Sequence, residues 1–187
     1  KLLGRIQLYQ FQKCSVGETR PARVVEPPHP KRVSRRRGGV DRAISRVPDH
    51  LKQHPGLIYE RMRWRSRKGR DDDAIKLLQT PAIEATQPDL WWRERGRLAR
   101  RALNDGRISQ AYELAARHAA SDGFPFADAE WLAGWIALRF LQEPERAFTH
   151  FKDMYAKVKY PVSLSRGAYW TGRAAEAGGD NSLASHW

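Results

Sequence analysis

The chain has 187 residues and carries 34 Lys and Arg against 21 Asp and Glu, a formal net charge of +13. Its one cysteine, Cys14, excludes an internal disulfide, so cysteine usage does not separate an oxidising compartment from a reducing one. No apolar run approaches the ~18 residues of a membrane-spanning helix, so nothing in the sequence reads as one. The charge is unevenly spread: residues 1 to 39 hold ten Lys and Arg against two Glu, a net of +8, while residues 40 to 187 hold 24 against 19, a net of +5. The basic balance therefore belongs mainly to the first fifth of the chain.

Residues 15 to 39 combine Pro21, Pro27, Pro28 and Pro30 with Gly17, Gly38 and Gly39 among seven basic residues. That composition buries too little apolar area to offset chain entropy, so residues 1 to 39 are expected to be a disordered, basic, Pro/Gly-rich segment. KLLGRIQLYQ lacks the uninterrupted apolar core of a signal peptide. Within KRVSRRRGG at 31 to 39 the cations could release counterions from a polyanion, but no aromatic residue lies among them to stack on bases; a solvated linker is the favoured reading.

The helical pattern is expected to begin at Val40, where Val40, Ala43, Ile44 and Val47 make one stripe that ends at Pro48. His50 and His54 follow at i, i+4, a spacing that can present two metal ligands on one face. No Cys or second acidic ligand lies nearby, Pro48 and Pro55 confine the segment, and no metal site is assigned. A helix is predicted from about Pro55 to Lys68, with Leu57, Ile58, Met62 and Trp64 as its apolar side. It contains RMRWRSRKGR, in which Arg61, Arg63, Arg65, Arg67, Lys68 and Arg70 surround one tryptophan. This resembles a nucleic-acid patch; yet the cations gather at a helix C-terminus, where the dipole favours them, and Asp71, Asp72 and Asp73 open the next helix at its positive pole. A locally paired helix junction is preferred, and nucleic acid is disfavoured as a partner.

A further pair is predicted from Pro88 to Asn104 and from Arg107 to Ser121, on helix-start and helix-stop signals. Trp91 and Trp92 differ by 100° on a helix, so at most one can face a sugar while the other packs inward. The next stretch, FADAEWLAGWIALRFLQEPERAFTHF from Phe126 to Phe151, reads as a helical hairpin. Its first arm is apolar on nearly all sides and must be covered on more than one. Gln142, Glu143 and Pro144 make the turn, and Ala147, Phe148, Phe151, Met154, Tyr155 and Val158 continue at helical spacing. Trp135 is expected to be buried in this hairpin and His150 to lie on its outer helix, where its removal is expected to cost little. Glu130 could be a general acid with a raised pKa, but a place in the first helical turn, with its free amides, favours a structural role. A last pair runs from Pro161 to Ala177 and from Asp180 to Trp187, and ends so abruptly that the chain is expected to be a fragment of a longer protein.

The unit repeats. Ala74, Ala111, Ala147 and Ala184 each open a helix shortly after a turn, at intervals of 37, 36 and 37 residues, and Ala43-Ile44 mirrors Ala74-Ile75. Such a period is the signature of an α-solenoid, whose helix pairs bury their apolar faces only by stacking on the next pair. The expected fold is all-α: a tetratricopeptide-like superhelix of antiparallel helix pairs over residues 40 to 187. No HExxH, GxSxG, phosphate loop or dinucleotide fingerprint occurs, and no catalytic, cofactor-binding or substrate-binding residue is assigned.

The run DLWWRERGRLARRALNDGRISQAYELAARHAA, with EWLAGWIALRF and RGAYWTGRAAEA after it and GLIYERMRWRSRKGRDDDAIKLLQ before it, resembles the helical superhelix of soluble lytic murein transglycosylases of the Slt type. That resemblance implies a periplasmic protein that cleaves peptidoglycan glycan strands between N-acetylmuramic acid and N-acetylglucosamine without water, giving 1,6-anhydro products. In that family a lysozyme-like domain after the superhelix does the chemistry through a Glu that precedes a Ser. None of the ten Glu here precedes a Ser, so no catalytic residue carries over. The implied role is a non-catalytic scaffold segment, inactive alone. The alternative is a tetratricopeptide-like adaptor that binds a protein or peptide in its concave groove.

Overall fold

The computed structural model describes residues 39 to 79 and 87 to 187. All regular structure among them is helical: α1 (Gly39–Ser45), α2 (Asp49–Lys52), α3 (Pro55–Arg67), α4 (Asp71–Leu78), α5 (Pro88–Asn104), α6 (Ile108–Ala116), α7 (Gly123–Ile136), α8 (Pro144–Lys157), α9 (Pro161–Ala177) and α10 (Asn181–His186). Two compact units divide between Asp41 and Arg42; the helices from α2 onward belong to the second. The expected disordered segment, with its KRVSRRRGG cluster and Cys14, lies outside the described residues up to Gly39, which opens α1.

Each helix from α3 onward packs chiefly against its neighbours in the chain, and α5 also touches α7. The reason is visible at the turns. Gly69, Gly106, Gln142 and Gly179 have left-handed backbones, with φ of 70°, 78°, 58° and 85°, and they are spaced 37, 36 and 37 residues apart. At each, an amide just past the turn bonds a carbonyl of the helix before it: Arg70 to Arg65 at 2.9 Å, Arg107 to Ala102 at 2.8 Å, Glu143 to Ala137 at 3.0 Å and Asp180 to Ala175 at 3.0 Å. These close the orphan carbonyls of the helix end and reverse the chain. Three turns reach back five residues. The third in order reaches back six, because Ala137–Leu141 is wound as a π-helix before the turn, and there Gln142 holds the left-handed position that glycine holds at the others. Four residues after each of these amides, Ala74, Ala111, Ala147 and Ala184 bond the first carbonyls of the return helices. The first three alanines are wholly buried, since only a methyl fits where paired axes come this close.

One main core joins Ile58, Met62, Ala74, Ile75, Leu78, Trp91, Trp92, Leu98, Ala102, Ala111, Leu114, Leu132 and Ile136, and a smaller one joins Ala137, Ala147, Phe151 and Ala174. The hairpin from Phe126 to Phe151 forms as the sequence predicts. Its closest approach is at Gly134, where a Cβ would stand 2.8 Å from the Phe151 ring, so only glycine lets the second arm pack this closely.

Four expectations need correction. The stripe Val40, Ala43, Ile44 and Val47 does open the helical pattern, but α1 ends at Ser45, just before Pro48, and buries none of its residues. The helix predicted from Arg107 to Ser121 stops at Ala116, where Arg117 already leaves the helical region at ψ 51°; Ala119 then turns left-handed at φ 56°, and His118 is buried. Glu130 is not in a first turn: α7 starts at Gly123, seven residues earlier. Trp135 is only half-buried; Trp131 stacks on one of its faces at 5.8 Å and Phe140 meets it edge-on at 5.1 Å.

Candidate functional site

The residues singled out as possible ligand contacts are mostly occupied with each other. Trp91 and Trp92 are both buried, so neither offers a face to a sugar: Trp91 packs edge-on against Tyr59 at 5.1 Å, and the Trp92 indole N–H donates to Asp128 at 3.1 Å. Trp131 stacks on Trp135 and lies under the Arg166 guanidinium, 3.8 Å from the ring centre. His54 caps α3, its Nδ1 accepting from the Gly56 amide at 3.2 Å, and His50 lies exposed on α2. The aspartates 71 to 73 pair with arginines as expected, but mostly across helices. Asp71 holds Arg101 at 2.9 Å, Asp72 holds Arg107, and Asp73 holds Arg70 at 2.7 Å. The junction is thus tied to α5 and to the turn after it as well as to itself.

The most organised constellation lies elsewhere, around Glu130. Its carboxylate is 11% exposed and accepts two imidazole bonds, from His118 Nε2 at 3.0 Å and from His150 Nδ1 at 2.6 Å. Beyond His150, its Nε2 meets the Tyr112 hydroxyl at 2.9 Å. Beyond His118, its Nδ1 accepts the Ala120 amide at 3.1 Å. Four elements contribute: Tyr112 from α6, His118 from the connection after it, Glu130 from α7 and His150 from α8. Phe126 and Trp92 set their rings edge-on to His118 at 5.7 and 6.2 Å, which fixes the imidazole plane.

The proton positions follow from the partners. A backbone N–H can only donate, so His118 Nδ1 is bare and its proton is on Nε2, facing Glu130. Burial alone would raise the Glu130 pKa, but the bonds from His118 and His150, joined in acid by the charge of the imidazolium forms, outweigh it and bring it to about 2. An ionised carboxylate can only accept, so His150 carries its proton on Nδ1, and its Nε2 accepts the Tyr112 O–H. The direction is opposite to the raised pKa weighed for a general acid.

Hydroxyl, imidazole and carboxylate in line are the parts of a nucleophile relay, yet the end group is wrong for that task. Burial pushes the Tyr112 hydroxyl up, away from a phenolate, and the Arg146 guanidinium lies over the ring at 5.3 Å. The array ties α6, α7 and α8 together. It is not arranged for a metal: both carboxylate oxygens already take imidazole N–H bonds directly, and among the described residues no group of three His, Cys, Asp or Glu side chains is arranged around an ion.

Glu130 was within reach of sequence reasoning, but its partners were not. His118 lies in a segment that reads as helix, and His150 reads as a residue of the outer helix that is cheap to remove; it is instead 16% exposed and bonded on both nitrogens. The sole signal for the contact is that residue 150 lies one helical turn after Ala147, whose place on the inner face was legible. No family model, no curated protein and no solved structure matches the chain.

Proposed function

We propose that residues 42 to 187 are a non-catalytic scaffold segment of a peptidoglycan lytic transglycosylase, in which antiparallel helix pairs stack into a superhelix that holds glycan strands near a separate active site. The observation that carries the scaffold reading is the recurring joint: left-handed residues 37, 36 and 37 apart, each followed by the same pattern of turn bonds and a small alanine. A chain that repeats one joint and packs each helix mainly on its neighbours is built for extension, with each pair supplying the surface the next requires. The resemblance of WWRER, EWLAGWIALRF and RGAYWTGRAAEA to the Slt-type superhelix supplies the enzyme, the peptidoglycan partner and the periplasmic location.

The test has two parts. The purified chain, incubated with murein sacculi, is expected to release no anhydro-muropeptides. The same chain extended through its downstream reading frame is expected to release them, through a lysozyme-like domain with a Glu-Ser pair. A stop codon, or further helix pairs and then a stop, would overturn the enzyme reading and favour the protein-binding adaptor.

A further inference from the structure

The two histidines on Glu130 differ in what a second proton would do to them. His150 can accept one without losing a bond. Its Nε2 would become a donor, and the Tyr112 hydroxyl, 2.9 Å away, can rotate from giving a hydrogen bond to accepting one. His118 has no such freedom. Its only unprotonated nitrogen, Nδ1, is held 3.1 Å from the Ala120 amide, and an amide cannot become an acceptor. A proton on Nδ1 would set two N–H groups against each other in a place where His118 is 8% and Ala120 6% exposed.

We propose that the connection between α6 and α7 is a proton-operated latch: protonation of His118 at Nδ1 ejects the Ala120 amide and frees residues 117 to 122, while the imidazolium stays on Glu130. The ring remains because a charge-assisted bond to an ionised carboxylate is stronger than the neutral one it replaces. The backbone gives way because it is already the strained party: Ala119, between the two bonded residues, sits at φ 56°, a conformation that a residue with a Cβ keeps only under constraint. One proton is taken up from solvent per opening, forming one Nδ1–H bond, and no bond between heavy atoms changes.

The surrounding charges leave His118 as the trigger. From α6 the array is faced by Tyr112 and by Glu113, which is itself paired with Arg117 at 3.0 Å. From α8 it is faced by His150 and Arg146, and from the turn before α8 by Glu143, which pairs with Arg146 at 2.6 Å. On α7, Asp128 is taken by Trp92 and, at 2.8 Å, by Arg100. From α5 the contact is the Trp92 ring, and Lys157 lies over the far Phe126 ring at 4.5 Å. Among the described contacts, the one carboxylate bonded to His118 is Glu130. The latch sits where the α5–α6 hairpin leads into α7, so its opening loosens the joint between two helix pairs. It requires only this geometry and stands apart from the proposed function.

The test is residue-resolved amide exchange on the full chain, expressed as protection factors, at pH 7.5 and pH 5. Wild-type Ala120 is expected to lose about tenfold in protection at the lower pH, the scale of one lost buried hydrogen bond. In His118→Asn the amide oxygen replaces Nδ1 as acceptor and cannot titrate, so protection is expected to be unchanged between the two values. In His118→Gln the side chain can reach Glu130 but offers Ala120 nothing, so protection is expected to be low at both. His150→Asn is expected to keep the wild-type response. A pH response that survives in His118→Asn, or vanishes in His150→Asn, overturns the latch. Because the variants could fail to fold, the wild-type imidazole 15N shifts give a second reading: His118 must hold its proton on Nε2 at pH 7.5 and gain the Nδ1 proton in step with the loss of Ala120 protection. An Nδ1–H tautomer at neutral pH, or loss of protection out of step with the imidazole, overturns it equally.

Discussion

The joints at Gly69 and at Gln142 reverse the chain in much the same way, yet they are held by opposite chemistry. Around Gly69, Asp71, Asp72 and Asp73 reach outward to Arg101, Arg107 and Arg70, and most of these side chains are wet: Arg101 is 40% exposed and Asp72 76%. Around Gln142, the helices enclose Glu130 with His118 and His150 and close over Phe151, which is wholly buried. Exposed ion pairs contribute ~0 to 1 kcal/mol each and fade in salt. Buried, fully bonded polar groups contribute little net stability when intact but cost several kcal/mol when half of the set is removed. One joint should therefore respond to ionic strength and the other to pH.

The comparison breaks most severely at Glu130. Glu130→Ala would leave two buried imidazole N–H groups without an acceptor, and at about 1 to 3 kcal/mol for each it is expected to destabilise by about 2 to 6 kcal/mol in urea unfolding at pH 7. A loss under about 1 kcal/mol would mean that the histidines find other partners. The same residue sets an acid limb. Its folded pKa is depressed from 4.5 to about 2, so its contribution is fully present above pH 4.5 and is lost as pH falls toward 2. At 1.36 kcal/mol per unit, that is about 3 kcal/mol. Glu130→Gln should remove this slope between pH 4.5 and 2, which a series of unfolding curves would read.

Next in size is His150→Ala, expected to cost about 1 to 3 kcal/mol because it unpairs one Glu130 oxygen and the Tyr112 hydroxyl together. His50→Ala, at an exposed site, is the control and should lie within about 0.5 kcal/mol of the parent. Comparable to His150→Ala is Gly134→Ala. The new methyl would stand 2.8 Å from the Phe151 ring, and forcing the arms apart should cost about 1 to 3 kcal/mol, against a gain of up to ~1 kcal/mol from helix propensity. A variant more stable than the parent would show that the ring moves aside freely.

How much of this could be read beforehand depended on how local the cause was. The alanines at 74, 111, 147 and 184 mark the joints because a repeated close approach imposes a repeated small residue, and that survives in one dimension. The hairpin turn at Gln142 was legible from Pro144, although the π-helix before it was not, since nothing in ALRFL departs from an α-helical pattern. The end of α6 was missed because Ala119 is a helix former in isolation; what bends the chain there is the bond from Ala120 to His118 and the burial of His118 against Phe126. Trp135 was read as core because its helix is apolar all round, yet apolar periodicity does not tell a wholly covered side from one half-covered by another tryptophan. The Glu130 array was the least legible part, because its contacts join residues 12, 20 and 38 positions apart through helix placement alone.

The smallest effect is expected at the other joint, and there the dependence matters more than the size. Arg101 reaches Asp71 at 2.9 Å and also the Ser66 carbonyl and hydroxyl at 3.2 and 3.3 Å, so it ties α3, α4 and α5 with one guanidinium. Arg101→Met keeps most of the aliphatic stem and removes the charge. Because the arginine is 40% and Asp71 18% exposed, solvent already screens the pair, and the cost should be no more than about 1 kcal/mol in low salt. Ser66 is nearly fully buried, but its hydroxyl still has Asp71 at 3.3 Å, so the substitution leaves that hydroxyl bonded. At about 1 M salt, where the screening length falls to ~3 Å, parent and variant should converge. Glu130→Ala measured in the same salt should keep its full deficit, since ions do not enter a buried array. If the Arg101 deficit survives high salt, its hydrogen bonds to Ser66 outweigh its charge, and the two joints are held by more similar means than their exposure suggests.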